Sequence, residues 1–113
     1  MPTSKVSPAP VVLAIGCSPE LVVRCREAAI VGQSLLVETD VASATTVAAQ
    51  TRPLVMVMPE EVYRFDAASF SDLASDVRAR LVLLPDADLP QDELEQMLVG
   101  AIGDAEASRE GFN

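Results

Sequence analysis

Residues 10–32 read PVVLAIGCSPELVVRCREAAIVG. Val11 to Ile15 is an unbroken aliphatic run, too short for a helix core and without the alternation of a half-exposed strand. It reads as a strand buried on both faces, as in a parallel sheet. Gly16 ends it. In Ser18-Pro19-Glu20, serine can cap a helix, proline suits the first helical position and glutamate favours the positive end of the dipole. The helix runs to about Val31 with Leu21, Cys25, Ala28 and Ala29 on one side, and Gly32 stops it.

The same alternation continues along the chain. Leu35 to Thr39 is a second strand. Asp40 or Ser43 can cap a small-residue helix over roughly 41–51, which Arg52-Pro53 terminates. Leu54 to Met58 is a third strand, and residues 59–68 read as a helical turn and loop. A third helix spans Phe70 to Ala79, with Phe70, Leu73, Ala74 and Val77 inward. Leu81 to Leu84 is a fourth strand. Pro90 opens a last helix to about residue 103, with Leu94, Met97, Leu98, Ala101 and Ile102 at helical spacing. Strands alternating with helices imply right-handed crossovers. The expected fold is a three-layer α/β sandwich, flavodoxin-like, with a four-stranded parallel sheet of order 2-1-3-4. Residues 1–10 read as a flexible leader, 11–103 as one domain and 104–113 as a polar tail.

Net charge is −9, and residues 57–113 account for all of it, with four arginines against thirteen acids. Such a chain repels phosphate backbones, so nucleic acid is not an expected partner. The acidity serves solubility or meets a basic protein surface. No apolar run approaches the ~20 residues of a membrane span, and no signal peptide is evident, so the cytoplasm is expected. Cys17 and Cys25 lie about 10 Å apart along the helix axis at 1.5 Å per residue. That separation argues against a disulfide and fits a reducing compartment.

Arg52-Pro53-Leu54-Val55-Met56-Val57-Met58-Pro59 resembles the third strand of response-regulator receiver domains, and Leu89-Pro90-Gln91-Asp92-Glu93-Leu94 their final helix start. The resemblance covers residues 11–103. Receiver chemistry needs an acidic pair after the first strand, an aspartate after the third, a hydroxyl after the fourth and a lysine after the fifth. Here Gly16 and Cys17, Met58 or Pro59, and Leu84 or Pro85 stand at the first three places, and the only lysine is Lys5. A receiver's fourth helix and fifth strand have no counterpart. The resemblance implies a truncated, phosphorylation-incompetent pseudo-receiver: not an enzyme, but a protein-interaction module of a bacterial signalling, polarity or regulatory complex.

At the carboxyl ends of the strands the expected rim is Gly16-Cys17-Ser18, Met58-Pro59-Glu60 and Pro85-Asp86. Cys17 is the one catalytic candidate. It precedes a helix N-terminus, which can activate a thiol. Sugar-phosphotransferase IIB domains resemble this chain in their four parallel strands and in a cysteine after the first. Cysteine phosphotransfer by Cys17 is therefore the alternative function, although Pro19 removes a donor and Glu20 repels phosphate. Glu60-Glu61 and Asp86/Asp88 could bind a divalent cation weakly. They read instead as caps and solvated acids, and no metal or cofactor is expected. The apolar fourth strand, if last in the sheet, leaves an edge that must be covered or paired. The expected interface is Leu81, Leu83, Leu89 and Met97, rimmed by acids such as Glu93, with a protein partner or a second copy.

Overall fold

The structure, a computed structural model, describes residues 9–85 and 88–110. Its elements are β1 (Val11–Ile15), α1 (Pro19–Val31), β2 (Leu35–Thr39), α2 (Ala44–Thr51), β3 (Val55–Pro59), α3 (Glu60–Phe65), α4 (Ala67–Val77), β4 (Arg80–Leu84) and α5 (Gln91–Glu110). The strands form one sheet in the order β2-β1-β3-β4, every pair parallel. This is the expected sandwich.

The unbroken apolar runs have a direct physical cause. Successive side chains of a strand point to opposite faces, and both faces of this sheet are covered. Val12, Ala14, Val55, Val57, Val82 and Leu84 pack with α1 and α5. Leu13, Ile15, Met56 and Met58 pack with α2 and α4. Ala44 and Ala48 of α2 are both buried, which lets that helix lie close to the sheet.

Ser18 caps α1 as read, its Oγ accepting from Leu21 N at 3.2 Å, with Pro19 next to it. Gly32 follows the helix for a different reason from the one expected. Its φ is −85°, and Gln33 takes the left-handed position at φ 59°. A Cβ on Gly32 would lie 2.8 Å from Ile102 Cδ1, so this glycine permits the close approach of α5 to α1.

Three boundaries differ from the sequence reading. Helix α2 begins at Ala44, because Asp40 Oδ1 accepts from Ser43 N at 2.8 Å and holds residues 41–43 in a turn. Residues 60–65 form α3, and α4 starts at Ala67 rather than Phe70. Tyr63 and Ser71 join these helices through a 2.7 Å hydroxyl–hydroxyl bond. Residues 104–110, expected to be tail, continue α5, since Ala105 extends the Ala101–Ile102 stripe and is buried. The leader to residue 8 and residues 111–113 lie outside the described residues.

Candidate functional site

The carboxyl ends of β1, β3 and β4 meet around a small rim cavity of about 290 Å³, lined by Gly16, Ser18, Pro59, Glu60 and Leu84 among others. Gly16 sits at φ 67°, and a Cβ there would lie 3.1 Å from Val62 and 3.2 Å from Val41. Only glycine meets both demands without strain. Arg64 Nη2 donates to Glu60 Oε1 at 2.9 Å across one helical turn, so the rim's basic side chain is already engaged by its acid. Asp86 lies outside the described residues. Among the described residues, no group of three or more potential metal ligands comes together.

Cys17 does not line this cavity, although its neighbours Gly16 and Ser18 do. Its side chain packs into the α1–α5 half of the core, with its thiol 3.9 Å from Ile15 O and in hydrogen-bonding contact with Cys25. The hydrogen bond with Cys25 pushes the Cys17 thiol well above its ordinary range, and burial and the charges of Cys25 and Glu38 add to the shift. Cys25 is lowered by that same bond and by Arg24, against its own burial. Cys17 is thereby held toward its protonated form. Only a thiolate is a strong sulfur nucleophile, so Cys17 is poorly placed for phosphoryl transfer. Distance along the helix axis misses this contact, because Cα–Cβ bonds on a helix tilt toward its N-terminus and bring Cys25 back toward Cys17. Both cysteines are free thiols.

The second candidate is the outer edge of β4, the last strand in the sheet order. Arg80 N donates to Leu54 O at 2.9 Å, so the main-chain groups of Arg80 face β3. These groups alternate sides along a parallel strand. Val82 and Leu84 therefore also face β3, while Leu81 and Leu83 direct their N–H and C=O groups outward. An open groove of about 370 Å³ runs along this edge between β4 and α5, lined by Leu81, Val82, Leu83, Met97, Gly100 and Asp104 among others.

Three of the expected interface residues, Leu81, Leu83 and Met97, thus share one groove. Leu89 does not line it. It packs against the α1–α5 core, and its carbonyl accepts from Arg24 Nη2. Glu93 is exposed on the first turn of α5 and is not part of that lining. A third concavity, at the amino ends of β3 and β4, gathers Arg52, Arg78 and Arg80. No sequence motif pointed to it. The available signal was the placement of an arginine just before a strand twice over, in Arg52-Pro53 and Arg78-Ala79-Arg80.

No family model matches the chain, and no curated protein matches it. Among solved structures, it is similar to the lactose-specific IIB component domain of the phosphoenolpyruvate:carbohydrate phosphotransferase system from Streptococcus pneumoniae. The TM-score is 0.60 at 8% identity, over 88% of this chain and 97% of that one. The likeness is one of fold.

Proposed function

We propose that this chain is a non-catalytic protein-interaction domain, a phosphorylation-incompetent pseudo-receiver of a bacterial regulatory complex in the cytoplasm, and that it docks through the outer edge of β4. The carrying observation is that Leu81 and Leu83 turn both of their main-chain groups outward beside the open groove between β4 and α5, which Arg80 and Asp104 line together with Leu81, Leu83 and Met97. Unpaired strand edges template pairing with another chain. The proposed occupant is a second copy. An antiparallel pairing about a two-fold axis through Val82 sets Leu81 of one copy opposite Leu83 of the other, twice. Residues opposed in this way exchange both N–H···O bonds, so the two outward residues of each copy satisfy one another. Such an interface is isologous, as two-fold dimers require. Met97 and the side-chain-free surface at Gly100 would then lie beside the seam.

Sedimentation analysis tests this reading. The wild-type chain is expected to dimerise, and Leu83→Glu and Met97→Glu to be monomeric with an unchanged circular dichroism spectrum. A wild type that stays monomeric at high concentration would sink it.

The alternative function, cysteine phosphotransfer, is favoured by the fold likeness to a IIB domain and by the position of Cys17 after β1. The packing of Cys17 against the α1–α5 core, away from the rim cavity, and the upward shift of its thiol weigh against it. Incubation with a phosphorylated histidine carrier protein separates the two, since stable label on Cys17 would establish the alternative.

A further inference from the structure

The groove beside β4 has a helical wall. Met97, Gly100, Ala101 and Asp104 of α5 line it, and their spacing sets them on one face of the helix. Glycine weakens a helix interior, yet a Cβ on Gly100 would find no neighbour within 4 Å beyond its own helix backbone. Packing within the chain therefore does not call for a glycine there.

The level of Gly100 against the strand follows from the Arg80–Asp104 pair, whose charged atoms lie 3.8 Å apart. Gln91 of α5 meets Arg24 early in α1, and Ile102 meets Gly32 at its end, so α5 runs alongside α1 and antiparallel to the strands. From Arg80 to Val82 the strand advances ~6.6 Å at 3.3 Å per residue. From Asp104 back to Gly100 the helix covers ~6 Å in the same direction at 1.5 Å per residue. Gly100 is thus level with Val82, where the two-fold axis of the β4 edge pairing passes.

Resting on that pairing, we propose that α5 of each copy packs antiparallel against α5 of the other, with the crossing at Gly100. A two-fold axis normal to the sheet keeps both α5 helices on the same face. Helix α5 packs over β3 and β4 alike, which sets it about one strand spacing, ~4.8 Å, from the axis. Two such helices lie about 10 Å apart, within reach of the 8–10 Å of packed helices. The short end of that range needs a small residue at the crossing, and Gly100 is one.

A second layer of contact is also what a stable dimer requires. Two five-residue strands paired by their edges alone bury far less than the roughly 1,200–2,000 Å² of a specific interface. The charges permit it. The two Asp104 carboxylates fall on opposite sides of the crossing, about 12 Å apart along the helices and beyond the screening length of about 8 Å, and each keeps the Arg80 of its own copy. The opposite edge strand, β2, carries Glu38 in an ion pair with Arg26, the kind of charge that blunts an edge. Leu81 to Leu84 carry none.

The test is sedimentation equilibrium of the full chain beside Gly100→Trp and Gly103→Trp. Neither glycine has a neighbour that a Cβ would strike, so both variants are expected to fold, which circular dichroism verifies. Gly100→Trp is expected to weaken dimerisation by about tenfold or more, the scale of overpacking a fitted contact. Gly103 does not line the groove, and Gly103→Trp is expected to dimerise as the wild type does. A short bismaleimide should join Gly100→Cys into a covalent dimer, and should not join Gly103→Cys or the wild type. A dimer lost in Leu83→Glu but kept in Gly100→Trp, with no cross-link through Gly100→Cys, would overturn the α5 contact and leave the strand pairing standing. A monomeric wild type would overturn both.

Discussion

Arg24 and Gln91, 67 residues apart in the chain, bind each other in both directions: Arg24 Nε donates to Gln91 Oε1 at 3.0 Å, and Gln91 Nε2 donates to Arg24 O at 3.0 Å. With the further bond from Arg24 to Leu89 O, this pair fixes the start of α5 on α1. It acts together with the buried stripe Leu94, Leu98, Ala101, Ile102 and Ala105, which packs α5 against α1 and the sheet.

Gln91→Ala is expected to lower unfolding free energy by about 1–2 kcal/mol, since it deletes two partly buried bonds, one of them from a charged donor. Urea denaturation measures this. An unchanged midpoint would mean that water replaces the amide without cost.

Gly32→Ala tests the close approach of α1 and α5. The added methyl would meet the buried Ile102 Cδ1 at 2.8 Å, and overpacking of this kind costs about 1–3 kcal/mol. Adding Ile102→Val removes the opposing methyl. The double variant is expected to be more stable than Gly32→Ala alone, although Ile→Val by itself costs about 0.5–1.5 kcal/mol. A double variant that is the simple sum of the two would show that the contact is not the cause.

Cys17 is expected to react slowly with iodoacetamide in the native protein and fast once unfolded. Its raised pKa means that the native thiol stays protonated at about pH 8, where an ordinary thiol near 8.5 is already partly ionised. Raising the pH through 9 should therefore accelerate labelling of the unfolded chain before that of native Cys17. Rapid native labelling of Cys17 would restore it as a nucleophile.

Hydrogen exchange reads the β4 edge amide by amide. The Val82 and Leu84 amides face β3 and should be protected at any concentration. The Leu81 and Leu83 amides should gain protection only as concentration rises and pairs form. Equal protection of all four in dilute solution would mean that the edge is covered within the chain.

Much of the fold was legible because burial on both faces leaves a plain mark. Runs such as Val11 to Ile15 and Leu54 to Met58 have no polar interruption, and the Ser18-Pro19-Glu20 start is a local signal with a local cause. Errors fell where competing local bonds decide. The Asp40–Ser43 turn delayed α2, and nothing polar in Asp104 or Glu106 revealed that Ala105 would hold α5 to the core. Of the candidate site, the apolar fourth strand was visible and suggested an unpaired edge. The inward turn of Cys17 was not visible, because a side chain's direction at a loop–helix junction depends on what packs beside it.

By itself the sequence determined the order of the strands and main helices, the parallel sheet and the acidic second half, since each follows from residue type and spacing along the chain. Tertiary structure alone decided that Cys17 faces Cys25 rather than the rim, that Gly32 serves Ile102, that Leu89 leaves the edge groove for Arg24, and that Arg52, Arg78 and Arg80 share one cavity. The physical reason is common to all four. Each is a contact between side chains from different elements, and only the packing of helices on both faces of the sheet sets the distances at which such groups meet.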